Sequence, residues 1–301
     1  MQTRLFSRSQ TTCARAKRHR RRSAFTFIEL LVVVLLFVLG STFVVSCARR
    51  GHGDNSRVRC ASNLRQIGQA ILLYSNDNRG AYPRMIASAV KEGQEPVPTW
   101  GTGAPATQPF LDPNRPADND VTAALFLLLR TQDITSDVFV CPSVADQDKD
   151  TYGASPNAPS PTTWPVHRSN FSDVNQNLSY SYQNPYPRQK AIEAGFKLNN
   201  AIGAEFAVAA DKNPGMSGGD SLAKDNVFAP TSTSSAKDMK QANTRNHDRD
   251  GQNILYGDGH VGWESNPFVG VNRDNIYTTA DGKINASPVD ANDSILLPTD
   301  D

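Results

Sequence analysis

Two imidazoles and a carboxylate lie close together at His247, Asp258 and His260, the donor types of a metal site or an acid/base pair. Gly257-Asp258-Gly259 accounts for the carboxylate without chemistry, because Asp-Gly supplies the positive φ of a tight turn between the runs Asn253–Tyr256 and His260–Trp263. Just upstream, Asp248 and Asp250 alternate side-chain oxygens as calcium loops do, with Asp274, Asp281, Asp290 and Asp293 as further donors. The closing Glu of an EF-hand is missing, and a solvated acidic loop is the competing reading. Gly215-Met216-Ser217-Gly218-Gly219 carries the letters of a nucleophile elbow. However, Pro214 and a polar loop stand where a strand should lead in, and no apolar helix follows. Phosphate loops, dinucleotide fingerprints and zinc-protease motifs do not occur. No catalytic residue emerges, so the chain reads as a non-enzyme with no cofactor unless calcium binds at Asp248 and Asp250.

The elements that would hold these residues are short. Leu64, Ile67, Ile71 and Tyr74 fall at helical spacing within Cys60–Ser75, and Gly80-Ala81-Tyr82-Pro83 ends that run. Thr122–Arg130 reads as a short apolar helix. Val138–Cys141, Leu178–Tyr182 and Glu205–Ala210 read as strands, followed by the hairpin near 253–263. Glu95–Asp120, Asp146–Asn177 and Lys212–Asn243 are rich in Pro, Gly, Ser, Asn or Asp and read as loops. The expected class is α+β: one domain with a small antiparallel sheet and long insertions.

The N-terminal region has a different chemistry. An apolar run from Phe25 to Val45 follows the basic Arg20-Arg21-Arg22 and is interrupted by Glu29. Its 21 residues make a helix of about 31 Å, enough to cross a bilayer. A carboxylate there costs about 2.5–3.5 kcal/mol at the bilayer centre, so it should have a job or a partner. Gly40-Ser41-Thr42 interrupts the run near its far end, where a kink or close helix–helix approach is tolerable.

The basic flank, small Ala24, aromatic Phe25, then Thr26, Phe27, Ile28, Glu29, Leu30 and Leu31 resemble the processing and N-methylation segment of type IV prepilins and type II secretion pseudopilins. The resemblance implies cleavage by a prepilin peptidase between Ala24 and Phe25, and methylation of the new terminus at Phe25. It implies that Glu29, fifth in the mature chain, pairs with the N-terminal ammonium of a neighbouring copy or another pseudopilin. The resemblance further implies a long N-terminal helix, one half in the membrane and the other packed on the sheet. Ala24 stands where the family usually has Gly, and the 24-residue leader exceeds the common short ones. A second resemblance joins Asn63-Leu64-Arg65-Gln66-Ile67-Gly68-Gln69-Ala70, through Tyr82-Pro83, to a large bacterial group of pilin-like proteins of unknown function. That group carries a C-terminal His, nine residues, then Asp-Gly. Here His247 and Asp258-Gly259 are separated by ten.

On this reading residues 1–24 are a basic leader, 25–47 a transmembrane and assembly helix, and 48–301 an extracytoplasmic pilin-like domain. The leader holds eight Lys/Arg and no acid, so it stays cytoplasmic by the positive-inside rule, in a single-pass protein of the bacterial inner membrane. Of 31 basic residues, 23 then remain against 30 acidic, a formal −7 that gives nucleic acid no basic surface. Outside the cytoplasm disulfides are allowed. Cys60 and Cys141 are then either a disulfide, the favoured pairing, or two buried free thiols. Two rival signals overlap the segment: a twin-arginine match at Arg21-Arg22-Ser23-Ala24-Phe25 and a lipobox-like Val44-Val45-Ser46-Cys47. Both call for an uncharged apolar core, and Glu29 lies inside it. The expected function is a structural subunit of a type II secretion pseudopilus or type IV pilus-like fibre. The alternative is a membrane-anchored or lipidated extracytoplasmic binding protein that does not polymerise.

Overall fold

The computed structural model describes residues 27–89, 93–152, 165–215 and 230–300, with the backbone alone over 38–54. The chain divides into two compact units at Arg50/Gly51. Helix α1 is assigned over Phe27–Asp77. In the first unit its described side chains, residues 27–37, are all exposed. Among the described residues no helix is long and apolar enough to cross a membrane.

The second unit is α+β. Five antiparallel strands, β1 (Tyr180–Gln183), β2 (Ala207–Asp211), β3 (Gln252–Tyr256), β4 (Val261–Glu264) and β5 (Leu296–Leu297), form one sheet in the order β4-β3-β2-β1-β5. Period-two alternation divides their side chains between two cores. Tyr180, Tyr182, Val208, Leu255 and Leu297 join the larger core, where Cys60, Leu64, Ile67 and Ile71 of α1 supply a helical stripe. Each such side chain contributes about 1.5–3 kcal/mol by burial. A Cβ on Gly68 would lie 2.8 Å from Leu255 Cδ1, so a larger residue there would require the Leu255 side chain to shift. The opposite face buries Ala207, Ala210, Ile254, Tyr256 and Leu296 against Ile276 and Tyr277. A register shift between Ala207 and Ala209 puts both Ala207 and Ala210 on this second face.

Helix α2 (Val121–Thr131) is buried along most of its length, and Phe126 meets Phe171 edge-to-face at 5.2 Å. Among the described residues there are also three short helices: α3 (Val174–Asn177), α4 (Gln189–Glu193) and α5 (Ala236–Gln241). The expected strand at Val138–Cys141 is instead a 3₁₀ turn over Ser136–Phe139. Such a short apolar run does not distinguish a strand from a buried turn. Here the turn prevails because Ser179 satisfies the backbone around it: Cys141 N donates to Ser179 Oγ at 2.7 Å, and Ser179 N donates to Phe139 O at 2.9 Å. In the hairpin, Gly259 takes φ +87° in a three-residue Gly257–Gly259 loop closed by Tyr256 N to His260 O at 3.0 Å.

Asp120, fully buried, caps α2 and secures the loop before it. Its carboxylate accepts from Ala123 N (2.7 Å), Thr102 N (3.0 Å), Thr102 Oγ1 (2.6 Å), Thr122 Oγ1 (2.9 Å) and Asn170 Nδ2 (3.2 Å). Burial still pushes this carboxyl above its ordinary value. Asp120→Ala removes a cap and strands several buried donors, so it should cost about 3 kcal/mol, read as a lower urea midpoint at unchanged slope. A loss below about 0.5 kcal/mol would show that the loop is held by other contacts.

Candidate functional site

Four buried residues from distant parts of the second unit meet at one point. Cys60 lies on the packed stripe of α1, Cys141 follows the 3₁₀ turn at Ser136–Phe139, Asp211 ends β2, and His247 ends a second 3₁₀ turn at Arg245–His247. Cys60 and Cys141 form a disulfide, with their Cα atoms 5.3 Å apart and 81 positions apart in sequence. One ligand atom from each of the four falls within 4.8 Å of the others. His247 Nε2 is 3.2 Å from Asp211 Oδ2 and 3.8 Å from Cys141 Sγ.

Neighbouring residues fix each of these groups. Asp211 Oδ2 accepts from Asn253 N at 2.7 Å and Asn253 Nδ2 at 3.1 Å, and Asn246 Nδ2 donates to Oδ1 at 3.4 Å. The Asp211 backbone carbonyl accepts from Tyr277 OH at 2.8 Å. Ser143 Oγ lies 3.2 Å from His247 Nδ1 and 2.9 Å from Cys141 Sγ, so one hydroxyl touches both. Burial, reinforced by the Asp211 charge, pushes the Tyr180 phenol well above its ordinary value and keeps it neutral beside the cluster. The edge of the Trp263 ring meets His247 at 5.3 Å, and Arg57 covers that ring at 4.2 Å. Gly251, at φ +156°, makes this cover possible, because a Cβ there would lie 2.3 Å from Glu264 O and 2.8 Å from the Trp263 ring. The result is a buried site, with the His247 side chain 3% exposed and Asp211 fully buried.

His247, Asp258 and His260 do not converge. Asp258 and His260 sit exposed at the hairpin turn, where His260 Nδ1 is 2.5 Å from Asp258 Oδ1 and the imidazole stacks on Tyr256 at 4.5 Å. Bonds from the His260 backbone and ring hold the Asp258 carboxyl below its ordinary value. Asp250 is taken up by Lys240 Nζ at 2.6 Å and Arg57 Nη2 at 3.3 Å, while Asp248 occupies a left-handed cap position at φ 54°. An incoming cation at Asp250 has to displace two resident ones. Ala24, Phe25 and Ser217 lie outside the described residues, and Glu29 stands in the first turn of α1.

The sequence reading missed Asp211, Ser143, Asn246 and Asn253. One signal was present for Asp211: an acidic residue directly continues the apolar run Phe206–Ala210. A carboxylate at the end of a buried strand needs donors, and those donors lie more than thirty residues away in sequence.

No family model matches the chain, and no curated protein or solved structure matches it either.

A separate acidic group responds to pH. Burial, together with the neighbouring Asp293 and Asp290 charges, pushes Asp274 up to about 7. Burial, with Asp290 and Asp281, pushes Asp293 up to about 6. Their folded-state values lie above the ordinary 3.8, so the native chain holds protons that the unfolded chain has released. Stability is therefore present at low pH and falls as pH rises from about 4 to about 7. Asp274→Asn should flatten that fall and gain about 2–4 kcal/mol at pH 8 relative to the parent, read from urea midpoints across the range. Parallel profiles for the two proteins would show that Asp274 is ionised without penalty.

Proposed function

We propose that this chain is a pilin-like subunit that assembles through its N-terminal helix into a type II secretion pseudopilus or a type IV pilus-like fibre. The observation that carries the proposal is the eleven-residue stretch Phe27–Phe37, apolar except for Glu29 and exposed at every described side chain, with Phe27 and Phe37 each at 77%. Such a surface requires lipid or other helices around it. In the same helix assignment, Cys60, Leu64, Ile67 and Ile71 are buried in the α+β unit. An apolar, Glu-bearing front half and a packed rear half are the two parts that the prepilin resemblance implies. The proposal places a prepilin peptidase at Ala24/Phe25, the membrane around the front half, and the second unit outside the cytoplasm. The Cys60–Cys141 disulfide is compatible with an oxidising compartment.

A second reading, a tethered binding protein that does not polymerise, draws support from a cleft of about 660 Å³ lined by Tyr82, Met85, Tyr186, Ile192, Phe196 and Leu198. Its size and apolar walls suit a small ligand.

Glu29→Ala should leave the mature N-terminus unchanged, as methylated Phe25 in mass spectrometry, while abolishing fibre-length crosslinks between copies in native membranes. Wild-type crosslinking by the variant would refute the assembly role of Glu29. An N-terminus at lipidated Cys47, or an intact Met1, would remove the prepilin pathway and favour the tethered reading.

A further inference from the structure

We propose that the Cys60–Cys141 disulfide closes over a metal site, and that the reduced chain binds one zinc-class divalent ion through Cys60, Cys141, His247 and Asp211. Nothing in this inference depends on fibre assembly.

The donor set is two sulfurs, one imidazole nitrogen and one carboxylate oxygen, each of which zinc accepts in a closed tetrahedral site. Zinc–ligand bonds of about 2.0–2.3 Å place tetrahedral ligand atoms about 3.3–3.8 Å apart. Two of the required edges already exist: His247 Nε2 to Asp211 Oδ2 at 3.2 Å, and His247 Nε2 to Cys141 Sγ at 3.8 Å. All four ligand atoms fall within 4.8 Å of one another. The sulfur–sulfur edge is a covalent bond that opens on reduction.

The surrounding groups suit an ion better than they suit catalysis. Ser143 Oγ sits at His247 Nδ1, leaving Nε2 directed at the cluster, as the outer partner of a ligating histidine does. Asn246 and Asn253 hold the Asp211 carboxylate by its two oxygens. Both cysteines are 0% exposed, so the pair is closed to a protein substrate, whereas a small reductant and an ion need only local opening.

A dithiol reductant gives two electrons and two protons to the S–S bond and is itself oxidised to a disulfide, leaving Cys60 and Cys141 as thiols. Zinc entry then displaces the two thiol protons to solvent, and His247 binds as the neutral imidazole. Reoxidation expels the ion as the S–S bond re-forms, with two electrons leaving to an oxidised dithiol. The disulfide ties α1 to the segment after the 3₁₀ turn, and the metal would tie it to Asp211 at the end of β2 as well.

The test uses the full-length chain in detergent, reduced with dithiothreitol, desalted anaerobically and titrated with cobalt(II) as a spectroscopic stand-in for zinc. One cobalt per chain is expected, with the visible bands of tetrahedral coordination and sulfur-to-cobalt charge transfer in the near ultraviolet. The unreduced chain should show neither. His247→Gln should weaken binding at least tenfold, and Cys60→Ser/Cys141→Ser should abolish the charge-transfer band, with Cys13 and Cys47 still present. The proposal is overturned if the reduced chain gives no charge-transfer band, or if the oxidised chain binds equally well. A band that survives in the double cysteine variant overturns it too. If the reduced chain loses its near-ultraviolet dichroism, cobalt or zinc should restore it, and failure to do so also refutes the site.

Discussion

Asp211 is a fully buried carboxylate, and its surroundings account for much of the second unit's construction. An ionised oxygen out of water costs several kcal/mol unless donors surround it. Here the donors come from Asn253 on β3 and Asn246 in the 3₁₀ turn, with His247 alongside. Satisfying one charge therefore fixes the end of β2 against β3 and determines where the chain turns before the hairpin. His247, set by that turn, then faces Cys141, whose bond to Cys60 fastens α1. The local constraint at one strand end is in this way passed to the helix that covers the sheet.

The sheet depends on burial from both sides. Its larger core is closed by α1 and α2, and the opposite face by the C-terminal segment carrying Ile276 and Tyr277. A sheet covered on both faces needs apolar residues at successive positions, which is why Ala207–Ala210 shows no polar alternation. The edges are blunted differently: β5 is two residues long, and β4 is half-exposed.

Local features were legible in the sequence. The stripe of Leu64, Ile67 and Ile71, the apolar run that became α2, and the Asp258-Gly259 hairpin all rest on neighbours a few residues apart, and each lies where its period or turn chemistry places it. The site was not legible to the same degree. His247 was singled out with Asp258, yet Asp258 faces solvent and the spatial partner of His247, Asp211, lies 36 positions earlier. Sequence distance favours hairpin mates, whereas sheet topology joins β2 to β3 across a long insertion, and only that pairing brings Asp211 to His247. The run Val138–Cys141 failed for a related reason: its fate was decided by the Ser179 hydroxyl, 38 residues beyond Cys141, and not by its own β-branched composition.

Position along α1 gives the cross-link its mechanical meaning. Among its residues with described side chains, Cys60 is the first that is fully buried, ahead of Leu64, Ile67 and Ile71. Within the second unit the covalent bond is therefore the first fully buried attachment of α1, ahead of the apolar packing. Each apolar contact behind it contributes about 1.5–3 kcal/mol by burial. A disulfide, or a metal held by the same cysteines, yields only by bond exchange. Within the α+β unit the disulfide holds α1 to the segment after the 3₁₀ turn, beside the buried Asp211–His247 pair. The chemistry at Cys60 and Cys141 thus sets how firmly the α+β unit holds the helix.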